Sequence, residues 1–250
     1  MRTSILAALT VLGSVSLGYT QSLNWTKLHP PALGHDIFAA YYDLGAETPQ
    51  HIVYLTDGGK WASETALRTR LSTLHAEHPE YPATRYVLIG TIDSAANVDH
   101  RQQLFGCDND DLHEAFAKTL IPWAEESLDR ALGPDQRTLV GLSLGAAHAA
   151  TELTHEEALF GSYVLLSPIT YDCPDLARRI AFLSSASAKT RRAYISTGRL
   201  DAETYAVPLT SLLQGAGVET KFVQTEGDHD FANWDGQWEG VLRWLYEPEL

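Results

Sequence analysis

Short apolar runs alternate with longer segments of helical period along most of the chain. Seven runs read as strands: residues 36–43, 51–56, 86–90, 138–142, 163–167, 193–197 and 221–224. They are short, several are rich in β-branched or aromatic residues, and several close on Gly, Ser or Asp. Between them the pattern predicts helices over 63–75, 112–131, 146–153, 176–184, 204–214 and 237–245. Leu112, Ala115, Phe116, Thr119 and Leu120 recur at helical spacing, and Pro122 is expected to kink or restart that helix. Apolar strands separated by helices predict an α/β fold, a mostly parallel central sheet with helices on both faces. The first two strand candidates have no helix between them and are expected to form an antiparallel edge. No repeat or linker interrupts the pattern, so a single domain over 22–250 is the expectation.

Composition narrows the function classes. The chain has 250 residues, 44% hydrophobic and 20% charged, with a formal net charge of −14. Such acidity excludes a nucleic-acid binder, which needs a basic face for phosphates, and disfavours docking on anionic lipid. At the N-terminus Arg2 precedes the apolar run 5–17, which is too short for a confident membrane span and fits a signal peptide over 1–20, cleaved near 18–21. An uncleaved anchor or a buried helix is the alternative. With no second apolar span, an exported protein, periplasmic or secreted, without stable membrane insertion is expected. Cys107 and Cys173 are the only cysteines. They read as a structural pair or as two buried thiols, and their spacing matches no zinc motif. Nothing in the sequence sets an oligomeric state.

The chemistry concentrates at Gly141-Leu142-Ser143-Leu144-Gly145, a Gly-x-Ser-x-Gly stretch after an apolar strand and before Ala146-Ala147-His148-Ala149-Ala150. In that context the serine sits on a strained strand-to-helix turn with its hydroxyl exposed, and the helix N-terminus offers N–H groups to an oxyanion. A serine hydroxyl needs a base. His229, in Gly227-Asp228-His229-Asp230, follows a predicted strand and stands after the serine in chain order. The seven histidines before Ser143 read as surface or loop residues, His148 as packing or solvent-facing, and His155 as solvated. The orienting acid should end a strand between Ser143 and His229. Asp201 does so, Glu203 is the alternative, and Asp172 is a distant third. The second oxyanion donor is assigned to Gly59, then Gly58, in Thr56-Asp57-Gly58-Gly59, beside the N–H of Leu144. Adjacent side chains in Asp228-His229-Asp230 do not converge on one ion, so no metal site is expected there, and the chemistry requires no cofactor.

These pieces together resemble the putative-esterase branch of the α/β-hydrolase family. That branch includes enterochelin (siderophore) esterases, feruloyl and acetyl-xylan esterases, S-formylglutathione hydrolase and mycolyltransferases. The resemblance covers about residues 36–245 and rests on Tyr54 to Gly59, the Ser143 turn, Gly198-Arg199-Leu200-Asp201, and Gly227 to Asp230 followed by Trp234. Ile89 to Asp93, His100 to Leu104 and Leu120-Ile121-Pro122 look most like the enterochelin esterase group. Gln103 stands where that group usually has Glu, and Asp228 where Gly is common. The resemblance implies a serine carboxylic-ester hydrolase acting through an acyl-enzyme on a small-molecule ester, a siderophore or an aryl or sugar ester. Ser143, His229 and Asp201 would be catalytic, or Ser143 and His229 alone. Arg101, Trp61 and Trp234 are expected to bind substrate, with Tyr171 and Phe231 as further pocket walls. An acyltransferase or a peptidase using the same triad is the rival, and a non-catalytic binding module on this fold is more remote.

Overall fold

Side chains alternate faces along a strand, and here the alternation separates two apolar layers. Ile52 and Tyr54 enter one core with Leu139, Tyr163 and Leu165, while Val53 and Leu55 enter the other with Val140, Val164 and Leu166. Both faces of the sheet are therefore covered. The computed structural model describes residues 23–93, 98–107, 109–201 and 203–247. The segment 1–20, expected to be a signal peptide, lies outside the described residues.

The strands are β1 (Thr26–Leu28), β2 (Ile37–Leu44), β3 (His51–Leu55), β4 (Thr84–Gly90), β5 (Ile92–Asp93), β6 (Val98–Asp99), β7 (Arg137–Leu142), β8 (Ser162–Leu166), β9 (Arg192–Gly198) and β10 (Glu219–Thr225). Among the described residues, eight form one sheet in the order β1-β2-β4-β3-β7-β8-β9-β10, and β5 pairs β6 separately. Strands β3, β4 and β7 to β10 run parallel. The antiparallel edge exists, but β2 pairs with β4 and β1, not with β3. The crossover through α1 (Gly58–Glu64) and α2 (Leu67–Glu77) places β4 between the two first-predicted strands.

The remaining helices are α3 (Arg101–Leu104), α4 (Asp110–Ala115), α5 (Ile121–Glu125), α6 (Leu144–Glu152), α7 (Leu176–Ala181), α8 (Ser185–Ala188), α9 (Glu203–Ala216), α10 (Phe231–Asp235) and α11 (Trp238–Tyr246). The long helix predicted over 112–131 is broken. A π-helical turn, Phe116–Leu120, joins α4 to α5, and the N–H of Ile121 reaches back to the carbonyl of Phe116. Pro122 follows at the start of α5 and has no N–H to continue an α-helical ladder. No helix among the described residues is long and apolar enough to cross a membrane.

Two histidines expected at the surface are core residues. His51 is buried with Nε2 2.8 Å from Thr138 Oγ1, and His75 is buried with Nε2 2.8 Å from the Tyr86 hydroxyl. His51 sits on β3, buried on both faces, and His75 on the buried face of α2; the burial outweighs the polarity of a single imidazole once its nitrogen is bonded.

Candidate active site

The C-terminal ends of neighbouring parallel strands form the natural crevice of an α/β sheet. Asp57 follows β3, Ser143 follows β7, Ser167 follows β8, Asp201 follows β9 and His229 follows β10. All five meet at that edge.

Ser143 occupies the turn between β7 and α6 with φ 55° and ψ −118°, a positive φ that costs a non-glycine residue energy. Its neighbours make the turn possible. A Cβ at position 141 would lie 2.2 Å from the carbonyl oxygen of Gly145, and one at 145 would lie 2.2 Å from Thr56 Oγ1. Only glycine fits either place. The approach at Gly145 also seats the start of α6 against the Thr56-Asp57 turn.

The imidazole of His229 links both partners. Its Nε2 is 2.9 Å from Ser143 Oγ and its Nδ1 is 2.5 Å from Asp201 Oδ1. Asp201 is almost fully buried and His229 is part-exposed, with side-chain exposures of 2% and 37%. The second oxygen of Asp201 accepts from Ser167 Oγ and, at 3.4 Å, from the N–H of Gly198. Sequence reading did not single out Ser167. The available signal was a serine closing a predicted strand, and the structure adds its positive φ of 50°.

Glu203 is exposed in the first turn of α9 and Asp172 lines a neighbouring cleft, so neither reaches His229. Asp230 accepts from the N–H of Asn233 at 2.9 Å and caps α10.

Of the two expected backbone donors, Gly59 stands in the first turn of α1 and Leu144 in the first turn of α6. In α1 the N–H groups of Lys60 and Trp61 bond to the Asp57 carbonyl at 2.9 and 3.1 Å. The preceding N–H groups, of Gly58 and Gly59, are beyond the reach of the helix ladder. A Cβ at 59 would meet nothing within 4 Å, so this position faces open space. Leu144 opens α6, and its N–H shares the positive end of that helix.

The three residues expected to bind substrate do other things. Arg101 is committed to Asp57, through Nε–Oδ1 at 2.5 Å and Nη2–Oδ2 at 3.1 Å. Trp61 has no exposed surface and packs edge-on against Phe231 and Trp238 in the core. Trp234 is also buried. Its indole N–H donates to Ser167 Oγ at 2.9 Å and its ring meets His229 edge-to-face at 5.0 Å. Their aromatic area is used in packing, where it contributes most. Tyr171 is exposed, and Phe231 is half-buried between Trp61 and Trp234. A cleft of about 370 Å³ opens beside Leu144 and is lined by Gln102, Gln103, Asn109 and Asp172 among others. Cys107 and Cys173 form a disulfide at its edge.

The family model described as putative esterase matches residues 31–245. No curated protein matches. Among solved structures, the enterobactin esterase of Shigella flexneri, crystallised with enterobactin, superposes with TM-score 0.78 at 21% identity. The match covers 92% of this chain and 60% of that one, so this chain spans about three-fifths of the relative's length. A ferulic acid esterase matches with TM-score 0.74 at 15% identity, over 90% of this chain and 98% of that one. The S-formylglutathione hydrolase of Staphylococcus aureus matches with TM-score 0.65 at 14% identity, over 90% and 96%. At these identities the shared feature is the fold, which is that of the α/β-hydrolases.

Proposed function

Because the chain belongs to the putative esterase family, we propose that it is a serine carboxylic-ester hydrolase acting through an acyl-enzyme on small-molecule esters. One observation carries this reading: the continuous chain from Ser143 Oγ through His229 to the buried Asp201, with links of 2.9 and 2.5 Å.

In the proposed reaction Ser143 Oγ attacks the ester carbonyl while His229 Nε2 takes its proton. The developing oxyanion accepts from the N–H groups of Gly59 and Leu144. Asp201 fixes the Nδ1–H tautomer and stabilises the imidazolium. His229 then returns the proton to the leaving alcohol. Water, deprotonated by the same nitrogen, attacks the acyl-serine; the intermediate collapses with Ser143 Oγ as leaving group, His229 returns the proton to that oxygen, and the acid product departs. Every proton that Ser143 or water gives up is accounted for at His229.

With Arg101 committed to Asp57, the cleft beside Leu144 offers amides from Gln102, Gln103 and Asn109 and the carboxylate of Asp172. Such a lining favours an uncharged, hydroxylated ester over an anionic one. The Cys107–Cys173 disulfide supports export to an oxidising compartment.

The test is hydrolysis of short-chain aryl esters, a feruloyl ester and a trilactone siderophore by wild type and Ser143→Ala. Labelling with a phosphonate ester accompanies it. The expected result is hydrolysis of at least one ester class, phosphonylation of Ser143, and a fall of about 10³-fold or more in the alanine variant. Full activity in Ser143→Ala would overturn the proposal.

A further inference from the structure

The far end of α6 carries a second cluster of functional side chains. Glu152 lies in the last turn of the helix that Ser143 opens, and only 2% of its surface is exposed. Its Oε1 is 2.7 Å from Nδ1 of His113 in α4. Its Oε2 is buried and has no hydrogen-bond partner. Nε2 of His155 lies 3.9 Å from that oxygen, beyond hydrogen-bond reach. The two imidazoles stack with centroids 4.0 Å apart and planes 8° from parallel, and one ligand atom from each of the three residues lies within 4.8 Å of the others.

The protonation states follow from the donors. Arg179 Nη2 sits 3.2 Å from His155 Nε2. A guanidinium only donates, so that nitrogen presents a lone pair. Nε2 of His155 thus takes its one hydrogen from Arg179 and offers none to Oε2 of Glu152, 3.9 Å away. A buried carboxylate oxygen left in this way is unfavourable, and a cation between the two atoms would satisfy both. Zinc binds imidazole nitrogen at about 2.0–2.1 Å and carboxylate oxygen at about 2.0–2.2 Å. The gap of 3.9 Å is close to the span of two such bonds, and one of the two stacked rings must turn out of parallel for both imidazoles to reach the ion.

We propose that His113, Glu152 and His155 bind one divalent transition-metal ion, and that zinc suits this donor set. Two imidazoles and a carboxylate select zinc over calcium or magnesium, which prefer oxygen ligands. Asp110 is the remaining candidate ligand: its Oδ1 is 3.4 Å from His155 Nε2, and its side chain is 66% exposed. Binding would expel the Nδ1 proton of His113 to solvent. It would also shift Arg179 Nη2, which now contacts Asp110 and His155, while Arg179 Nε keeps its 3.1 Å bond to Thr154 Oγ1. The ion would tie α4 to the end of α6, a structural role independent of ester hydrolysis. Sequence reading missed it because 39 positions separate His113 from Glu152 and no metal motif has that spacing.

The test uses tag-free, full-length protein stripped with a chelator. It is then titrated with zinc against a chromophoric chelator, with metal counted by mass spectrometry after gel filtration. The expected result is one zinc per chain, a higher melting temperature on loading, and visible absorption of tetrahedral type from the cobalt(II) form. His113→Ala and His155→Ala should each lose roughly 100-fold in affinity while keeping the wild-type circular dichroism of the stripped protein. Ser143→Ala should bind zinc like wild type, which separates this inference from the esterase reading. Absence of retained zinc, or stoichiometric zinc that survives both histidine substitutions, would overturn it.

Discussion

Asp57 and Arg101, 44 positions apart in sequence, meet in a two-point ion pair beneath the turn that presents Gly58 and Gly59. Asp57 has no exposed side chain, and burial pushes its carboxyl pKa up against the opposing pull of Arg101. Arg101 Nη2 also reaches the Leu142 carbonyl at 3.4 Å, so one guanidinium spans the proposed oxyanion turn and the strand before Ser143. Removing Arg101 would leave a buried carboxylate uncompensated. Arg101→Leu is expected to lose about 3 kcal/mol of stability, the low end for a broken buried pair because Arg101 is part-exposed. It should also lower kcat more than it raises KM, since the damage falls on the oxyanion donors. Asp57→Asn combined with Arg101→Leu should recover much of the stability and little of the activity. Urea unfolding and steady-state kinetics on the three variants check this; a pure KM effect would return Arg101 to a substrate-binding role.

Ser167 does for Asp201 what Asp201 does for His229. Its hydroxyl donates to the carboxylate and accepts from the indole of Trp234, which also packs on the imidazole. Trp234→Phe keeps the ring and removes the N–H. One such bond is worth about 1 kcal/mol, so kcat is expected to fall roughly 5-fold. Ser167→Ala should cost more, because it also removes a donor to Asp201. Asp201→Asn should be far worse than either, and Glu203→Gln close to wild type. A larger loss in Glu203→Gln than in Asp201→Asn would reassign the acid.

What could be read in the sequence was whatever local pattern decides. The strand before Ser143, the two glycines around it and the helix after it form one continuous segment in which Gly141 closes locally on the Gly145 carbonyl, although the need for glycine at 145 comes from distant Thr56. Strand positions were likewise legible, because alternation along β3, β7 and β8 is a local property. Order in the sheet was not, since no residue of β2 or β3 records that β4 will come between them. Side-chain roles that depend on distant partners were hidden for the same reason. Arg101 looked available until Asp57 was placed beside it, Trp61 looked like a pocket wall until Phe231 of α10 and Trp238 of α11 packed on it, and Trp234 until Ser167 and His229 took its N–H and its ring. The break at Phe116–Leu120 had a visible cause in Pro122, but the form of the break did not.

The disulfide joins the loop before α4 to the loop before α7, its cysteines 66 positions apart in sequence. In the chain-entropy view a closed loop of that size stabilises the fold by about 4 kcal/mol. Whole domains have only about 5–15 kcal/mol in hand. Replacing Cys107 and Cys173 together by Ser is therefore expected to remove a large part of the stability. Because Cys107 lines the cleft beside Leu144, KM for a bulky ester should rise while phosphonylation of Ser143 by a small reagent persists. Urea unfolding of oxidised wild type against the double variant measures the first effect. Identical midpoints would show that the bridge contributes nothing to stability.

Acid should destabilise the fold through His51. Burial, assisted by the positive Arg192, pushes its pKa down to about 3, against 6.5 for a free histidine. The unfolded chain then binds a proton below about pH 6.5, whereas the folded chain does so only near pH 3. The stability tied to His51 is complete above pH 6.5 and is lost as pH falls toward 3, at a slope approaching about 1.4 kcal/mol per pH unit. Burial lowers the pKa values of His75, His148 and His155 as well, and these add in the same direction. His113 opposes them: the Glu152 hydrogen bond raises its pKa, so its contribution is present at low pH and fades as pH rises through the folded value. A variant isolates one group from this sum. His51→Gln keeps a polar atom near Thr138 and cannot titrate. Between pH 7.5 and 4.5, wild type should lose about 3 kcal/mol more unfolding free energy than His51→Gln, taking about 1.4 kcal/mol for each of the two units below 6.5. Equal losses in the two proteins would mean that His51 is not held neutral in the fold.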